Sequence, residues 1–416
     1  MKFLFQTSSM AVLAFLAAGC STPPPQSIQT QNLPSNFTGP IVPGADVWPK
    51  NDWWKSFGSD EMDSLIVQAQ TDNFDLAAAT ARVMQAKAQS KIAGAALFPT
   101  LDLEGQAQRA RNGEGSVSIS GTGIPTLKAA TGNEFSATLN ASYELDIWGK
   151  AQDDLRAADE TLKSSRYARQ VVAITTTAGV ATTYLDVLAL RERVAIAQAN
   201  IDAAKRILTI TQAKVTNGVS SRLDLAQQEA LVAGQEAQIP ALQEQEKEAL
   251  FALAILLGRM PEDFDVQAQN LDAIKVPVVA PGLPSQLLAR RPDVAEAEAA
   301  LASGHANVDA ARAAFFPQIG LTGSGGYAAT AIKSLINPGN LAWSIGAQLL
   351  QTIFDGGLLS GQLELSKGVQ KELVADYRKA VISAFSDVET SLNQVAHLSE
   401  QERYLTDEVN AATEAF

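Results

Sequence analysis

The chain has 416 residues, of which 46% are apolar, and it carries a formal net charge of −13 from 45 acidic and 32 basic residues. This length is enough for two or three ordinary domains or for one elongated unit. The acidic excess argues against a nucleic-acid partner held by phosphate contacts, because no basic cluster offsets it.

The N-terminus has the layout of an export signal. Lys2 precedes an apolar run from Met10 to Ala18, and small residues stand just before Cys20. The run is too short for a membrane-spanning helix, which needs about 20 apolar residues. Residues 1–19 are therefore predicted to be a signal peptide and are excluded from the fold.

Cys20 is the one cysteine of the chain and ends the segment Leu16-Ala17-Ala18-Gly19-Cys20. This segment resembles a bacterial lipobox, although Ala17 stands where leucine is commoner. The resemblance implies that Cys20 becomes a lipidated N-terminus directed to the outer membrane, and two or more acyl chains anchor a protein firmly. The alternative is an ordinary buried or free thiol.

An internal repeat covers most of the chain. The segment Ala95–Pro99 recurs at Ala313–Pro317, an offset of 218 residues. The apolar and polar residues of Phe135–Leu145 alternate, and 208 residues later the same pattern runs over Trp343–Ile353, broken only by Gln351. Alternation with a period of two predicts a strand in each half.

A second strand is predicted in each half, just before the first. These strands cover Thr100–Gln108 and Gln318–Tyr327. The Gly/Ser/Thr-rich stretches Arg111–Asn133 and Gly326–Asn340, which separate the strands, are predicted to be mobile loops.

Long helices follow the strands. A heptad seam of apolar and small residues runs from Ala173 to Val215, and the positions 208 residues later continue in phase from Val381. Such a seam predicts helices that supercoil against neighbours. The first helix is predicted over Lys150–Thr216, which is roughly 100 Å at 1.5 Å per residue. A return helix is predicted over Arg222–Leu257, with a kink or joint at Pro240.

These features divide the chain into five parts. They are a signal peptide (1–19), a lipidated flexible segment (20–60), a first repeat with a helix, two strands and a long helical hairpin (61–258), a connecting segment (259–291), and a second, incomplete repeat (292–416).

The strands are the predicted route across a membrane. After residue 20 no apolar run approaches the length of a membrane helix, the longest obvious one being Ala249–Leu257. Four strands cannot close a barrel, and an open edge cannot face lipid because its backbone groups would stay unpaired. Three copies would give twelve strands and a bore, whereas two would give eight strands that side chains nearly fill, so a trimer is favoured.

Two further segments carry a family resemblance. Asp52–Phe57 followed by Leu65 and Asn73, and later Arg290–Val294, resemble signature segments of TolC-type outer-membrane efflux factors, in the lipoprotein (NodT-like) branch of resistance-nodulation-division (RND) systems. With the repeat and the lipobox, the resemblance spans the whole chain.

The resemblance implies an α+β membrane protein with a periplasmic α-barrel of long coiled-coil hairpins and a trimeric, 12-stranded β-barrel with four strands per chain. It also implies a Gram-negative outer-membrane location and a role as the passive exit duct of a tripartite efflux pump for drugs or other small molecules. The implied partners are two further copies, a periplasmic adaptor (membrane fusion) protein, an inner-membrane RND transporter and outer-membrane lipid.

In that family the hairpin tips form the periplasmic gate and the adaptor contact. The matching residues of this chain are Asn217, Gly218, Val219, Ser220, Ser221, Arg222, Leu223 and Asp224. Arg222 and Asp224 either make bonds that hold the tip closed or simply cap the helix after the turn. Asp293, which follows Pro292, is interpreted as a first-turn helix charge rather than a site residue.

Phe416 falls on the heptad seam with no helix stop signal after it. The sequence therefore predicts a C-terminally truncated chain that lacks one long helix and the second tip, leaving an exposed apolar seam.

Enzymatic chemistry is not expected from the residue inventory. His305 and His397 are the only histidines, neither has a Ser or Asp partner at a catalytic spacing, and both are interpreted as surface or seam residues. No metal or cofactor is predicted. Two other functions stay open: a channel for type I protein secretion, and a non-conducting structural coiled-coil lipoprotein.

Overall fold

The structure is a computed structural model that describes residues 52–112, 117–119, 125–127, 130–277 and 290–414. The predicted signal peptide, Cys20 and most of the predicted flexible segment lie outside these ranges. So does part of the predicted connecting segment.

Seven α-helices and six strands, together with three short 3-10 helices, form the described fold. The helices are α1 (Asp60–Asp72), α2 (Phe74–Ala95), α3 (Lys150–Thr216), α4 (Arg222–Glu236), α5 (Gln238–Leu256), α6 (Pro292–Ala313) and α7 (Leu358–Glu414). The strands are β1 (Thr100–Asn112), β2 (Val117–Ile119), β3 (Pro125–Leu127), β4 (Ala130–Leu145), β5 (Gln318–Ala329) and β6 (Leu341–Leu350).

Four strands build one antiparallel sheet in the order β1-β4-β5-β6, and β2 pairs with β3 in a separate hairpin. Thr100 lies opposite Ser142 in the first half, and Gln318 lies opposite Leu350 in the second. Thr100 and Gln318 are 218 residues apart, and Ser142 and Leu350 are 208 residues apart, so the second pair follows from the first by the two offsets of the sequence repeat. The repeat is therefore kept in strand register.

Five strand boundaries differ from the sequence prediction: the end of β1, the start of β4, the end of β5 and both ends of β6. β6 ends at Leu350 rather than Ile353, because Gln351 leaves the sheet and its Nε2 donates to the carbonyl oxygen of Phe315 at 3.2 Å. The predicted loop Arg111–Asn133 is partly strand, since β1 and β4 continue into it as a paired ladder. β5 likewise runs two residues further than predicted, to Ala329.

The long helix α3 has the predicted boundaries and contains 67 residues. Its seam residues from Ala173 to Val215 are all buried or half-buried. Along its length α3 packs against α1, α2, α4, α5 and α6. The return helix is divided at Ala237, three residues before Pro240. A proline ring crowds the carbonyl four residues earlier, here that of Glu236, so the predicted joint is confirmed.

The main core joins α1, α3 and α5. Its fully buried side chains include Met62, Ile66, Tyr184, Leu188 and Leu253. A smaller core joins α6 to α7 through Val294, Val381 and Ala384. Beyond these two α7 residues the seam is largely exposed in the single chain, with Val395 68% and Val409 63% exposed.

One helix, α3, is apolar and long enough to meet the length and composition of a membrane span, over an 18-residue window with mean hydropathy 1.4. The sequence expectation that no such run follows residue 20 was therefore wrong. The same helix carries the buried Val180, Tyr184 and Leu188 of the main core. Packing against α1 and α5 gives its apolar residues a partner without any lipid.

Candidate functional site

The four-stranded sheet has one apolar face. Leu103 on β1 lies opposite Leu139, which lies opposite Gly325, and Gly325 lies opposite Trp343 on β6. Large side chains on this face point into open space, with Leu103 78%, Trp343 75% and Ile345 83% exposed. An exposed apolar patch on a continuous sheet indicates a surface that another apolar phase covers.

The opposite face of the sheet is polar and acidic. Its described strand residues include four carboxylates and no basic side chain; the carboxylates are Asp102, Glu104, Glu134 and Glu144. Asn140 Nδ2 donates to Glu104 Oε2 at 3.2 Å, and the hydroxyls of Ser324 and Ser344 are 2.8 Å apart. Alternation of lipid-facing and lumen-facing residues is the pattern of a membrane β-barrel wall.

The two edges of the sheet are open. Within the described residues, β1 pairs only with β4 and β6 pairs only with β5. The outward backbone groups of both strands therefore need partners from outside the chain, because an unpaired edge in hydrocarbon costs several kcal/mol for each group.

The tip between α3 and α4 contains all eight residues that the sequence singled out there. Gly218 takes a positive φ of 74°, and the amide of Val219 donates to the carbonyl oxygen of Lys214 at 2.8 Å. These bonds end α3 in a Schellman motif. Val219 and Leu223 are 75% and 65% exposed, so the tip presents two apolar side chains to solvent.

Asp224 takes part in capping α4. Ser221 Oγ accepts from the Asp224 amide at 3.1 Å, and Asp224 Oδ2 accepts from the Ser221 amide at 2.9 Å and from Ser220 Oγ at 2.7 Å. The hydrogen bond from the Ser220 hydroxyl and, second in size of effect, the one from the Ser221 amide hold the pKa of Asp224 below its ordinary value. This is a reciprocal capping box, which is the plainer of the two predicted roles. Arg222 is exposed beside it.

Asp293 lies in the first turn of α6, as predicted, but it has a partner that the sequence did not indicate. Arg291 Nη2 lies 2.7 Å from Asp293 Oδ2 and 2.8 Å from Asp387 Oδ2 on α7. The guanidinium is the main reason that the pKa of Asp293 falls below its ordinary value. Arg291 thus ties the start of α6 to α7, a contact between residues 96 positions apart that no local pattern encodes.

Arg191 holds the connecting segment against the helices, and the sequence analysis did not single it out. Its side chain is 9% exposed and bonds to Glu246 at 2.9 Å, to Asp265, and to the carbonyl oxygens of Val266 and Ala268, both at 2.7 Å. An arginine beside the apolar seam of α3 was the available signal. Five donors in a fixed fork suit such a bridge.

The two histidines are placed apart. His305 is half-buried on α6 with Nδ1 2.6 Å from Gln370 Nε2 of α7, and His397 is exposed on α7. Among the described residues there is no group of three His, Cys, Asp or Glu side chains that could hold a metal ion. Cys20, the predicted lipid attachment site, lies outside the described residues.

A sheet with one apolar and one polar face, open at both edges and continued by very long helices, defines a wall subunit of a membrane channel. The sequence comparison narrows this class. The model of the outer membrane efflux protein family matches residues 65–259 and 283–416, and the chain therefore belongs to that family.

Two relatives with assigned roles are similar over almost the whole chain. The pyoverdine export outer membrane protein OpmQ of Pseudomonas aeruginosa is 40% identical over 98% of this chain and 85% of its own length. The cation efflux system protein CusC of Escherichia coli is 31% identical over 94% of this chain and 85% of its own.

Solved structures agree on the fold. The open state of the MtrE outer membrane channel of Neisseria gonorrhoeae superimposes with a TM-score of 0.81 at 28% identity, covering 95% of this chain and 86% of that one. A CusC structure gives 0.78 at 28% identity, covering 93% and 87%. The predicted TolC-like fold is confirmed, and the protein is an outer-membrane channel component of an efflux system. Its family is one of channels rather than enzymes.

Proposed function

We propose that three copies of this chain form the passive exit duct of a tripartite efflux pump. Each copy contributes β1, β4, β5 and β6 to a twelve-stranded barrel whose acidic face lines the lumen and whose apolar face meets outer-membrane lipid. One observation carries this proposal: the sheet is open at both edges, and its two faces are chemically opposite, one apolar and one acidic. Closure with further copies satisfies the edges and leaves a polar bore.

The duct opens to the periplasm at the helical tip Asn217–Asp224, which meets a periplasmic adaptor protein and takes part in the gate. Val219 and Leu223 support this placement, because exposed apolar side chains at the end of a helical hairpin suit a protein partner. The adaptor in turn connects the duct to an inner-membrane RND transporter. Asp224 keeps its capping role in this arrangement.

Cys20 anchors each copy to the outer membrane through acyl chains added after the signal peptide is removed. The lipobox-like residues before Cys20 support this step. Labelling cells with a palmitate analogue tests it: the wild type should incorporate the label, and Cys20→Ser should not. Label in Cys20→Ser would overturn the assignment of the anchor.

The cargo is a small molecule that the transporter delivers. The names of the relatives, one for pyoverdine export and one for cation efflux, support small solutes rather than folded proteins. The acidic face of the barrel adds a preference for the charge of the solute. Four carboxylates, with no basic side chain among the described residues of that face, make a field that attracts cations and repels anions.

Conductance of the purified protein in a planar bilayer is the direct test. The expected result is a channel whose reversal potential in a salt gradient shows cation preference. Glu104→Gln combined with Glu134→Gln should reduce that preference, while Gln106→Asn, on the same face, should leave it unchanged. A trimer that never conducts, even with Val219 and Leu223 both replaced by Ser to loosen the tip, would favour a structural lipoprotein instead.

A further inference from the structure

The hairpin of β1 and β4 extends beyond the rest of the sheet. The ladder between β4 and β5 stops at Phe135, opposite Ala329, whereas the ladder between β1 and β4 continues to Asn112, opposite Ala130. β4 thus runs five residues past its last partner on β5, about 17 Å at 3.4 Å per residue. Helices α2, α3, α6 and α7 all join the sheet at its other end, so in the proposed duct this extension faces the outside of the cell.

Two arginines of this extension share the apolar face of the sheet. Side chains alternate between the two faces along a strand, so Arg109 and Arg111 lie on the same face as Leu103. Both arginines are exposed, and their partners on β4 are the uncharged Asn133 and Thr131. Among the described residues, the outer end of this face therefore carries two positive charges and no negative one in each copy.

The height of the apolar band places these arginines at the level of lipid headgroups. On β4 the band runs from Leu145 to Phe135, which is about 34 Å along the strand. A strand tilt of about 40° reduces this to about 26 Å across the membrane, close to the apolar band of about 25 Å in outer-membrane barrels. Phe135, Tyr327 and Trp343 stand in three consecutive rows at the outer end of the band, where aromatic girdles mark the interface. The arginines lie one and two rows beyond Phe135, roughly 5 and 10 Å above the band at this tilt.

Neither guanidinium has a partner of opposite charge within the described part of the chain. Arg109 and Arg111 form no salt bridge there, whereas Arg156 and Arg312 on the helices both pair with Asp309. The carboxylates of the described strands lie on the opposite face, which lines the proposed lumen. The two positive charges at the edge of the apolar band are therefore available to an anion from the surrounding membrane.

We propose that Arg109 and Arg111 bind the phosphate groups of lipid headgroups in the outer leaflet. The inference rests on the proposed duct, which sets the direction of the sheet in the membrane. The headgroup layer is about 5–8 Å thick, so Arg109 lies within it, and the long side chain of Arg111 reaches back into it. A guanidinium presents paired N–H donors in a fixed fork that matches two phosphate oxygens. Two arginines from each of three copies thus surround the barrel with phosphate sites.

Binding of lipid A, a bisphosphorylated lipid, to the purified full-chain assembly tests the proposal. Native mass spectrometry in a neutral detergent counts the bound molecules during a titration. Arg109→Gln combined with Arg111→Gln should weaken the binding about 30-fold, because each arginine near anionic headgroups raises the affinity about fivefold. Arg109→Lys with Arg111→Lys keeps both charges but loses the fork, so its affinity should fall between those of the wild type and the glutamine variant.

A variant with relocated arginines is the matched control. Gln108→Arg, Arg109→Gln, Ala110→Arg and Arg111→Ala together keep the net charge of the chain but turn both guanidiniums into the lumen. This variant should bind lipid A as weakly as the glutamine variant does. Lipid A stripped of its phosphates should bind equally to the wild type and to each variant. A trimeric mass in the same spectra shows that a variant has assembled.

Several outcomes would overturn the proposal. Equal binding of lipid A by the wild type and the relocated variant would show that net charge alone acts; if the relocated variant does not assemble, equal binding by the wild type and the glutamine variant contradicts the proposal. A wild type that prefers lipid A no more than its dephosphorylated form would assign the binding to the acyl chains. Displacement by an equal concentration of inorganic phosphate would identify a free anion, rather than a lipid, as the ligand.

The same measurements separate this inference from the proposed function. A trimeric, conducting wild type that fails any of these comparisons would leave the duct standing and remove the phosphate sites. A monomeric mass for the wild type would instead defeat the trimeric duct, on which this inference rests.

Discussion

The indole Nε1 of Trp148 donates a hydrogen bond to the carbonyl oxygen of Pro317 at 2.7 Å. The ring of Trp148 also stacks on Phe316, with centroids 4.8 Å apart and planes inclined by 19°. Trp148 lies between β4 and α3, and Pro317 lies between α6 and β5, so this contact joins two of the points at which the sheet meets the helices.

Trp148→Phe should therefore destabilise the protein by about 1 kcal/mol, because the stacking survives and one hydrogen bond is lost. Trp148→Ala should cost about 3 kcal/mol, since the stacking is lost as well. Thermal melting of the purified assembly measures both. Trp343→Phe, on the exposed apolar face, is the control and should change stability by less than about 0.5 kcal/mol. A Trp148→Phe variant as stable as this control would contradict the role of the bond.

Gly326 on β5 is predicted to tolerate no side chain. A Cβ atom built there would lie 2.2 Å from the carbonyl oxygen of Ala137 and 2.6 Å from the Cα of Thr138, both in the backbone of β4. Gly326→Ala should therefore force the strands apart and reduce the yield of assembled protein, at a cost of about 1–3 kcal/mol. Gly320→Ala lies on the same strand and face with open space around it, so it should assemble normally. Heat-modifiable gel mobility distinguishes the two variants.

The sequence predicted the helices better than the strand ends. The start of α3 at Lys150 follows Gly149, whose φ of 79° needs glycine, and the end at Thr216 precedes Gly218. Glycine signals at helix ends are local, so the sequence alone is enough to predict them. The end of β6 depends instead on Gln351 bonding to Phe315, 36 residues away. The alternation of apolar and polar residues continues to Ile353 in the sequence, past Leu350, where this contact draws the chain out of the sheet.

The two-faced sheet was also within reach of the sequence, because a period of two assigns each residue to a face without knowledge of its partner. The hydrogen bonds that join distant parts of the helical region could not be predicted from the sequence. Glu61 Oε2 accepts from Tyr184 Oη at 3.1 Å and from the amide of Ala268 at 3.1 Å, across 123 and 207 residues. A contact of this kind depends on how the helices pack, and a single sequence carries no periodic signal for it.

Arg191 is expected to be the most sensitive charged residue of the helical region. Arg191→Met keeps the length of the side chain but leaves Glu246 and two backbone carbonyl oxygens without their donor. Removing one partner of a buried pair typically costs about 3–5 kcal/mol. Arg193→Met, an exposed position two residues further along the same helix, should change stability by less than about 0.5 kcal/mol. Denaturant unfolding followed by circular dichroism compares them, and equal midpoints would contradict the bridge.

The capping box at the tip should make the first turn of α4 sensitive to acid. Because hydrogen bonds from Ser220 and Ser221 hold the pKa of Asp224 below its ordinary value, the cap is fully effective above that ordinary value. Its stabilising effect is lost as the pH falls through the lowered pKa, when the carboxylate takes up a proton. Asp224→Asn should weaken the cap at every pH and remove this dependence. Hydrogen exchange of the amides of residues 221–225, corrected for intrinsic rates and compared between pH 5 and pH 2.5, measures the effect. Protection in the wild type that does not change between these pH values, or a pH-dependent loss that persists in Asp224→Asn, would show that another group controls the tip.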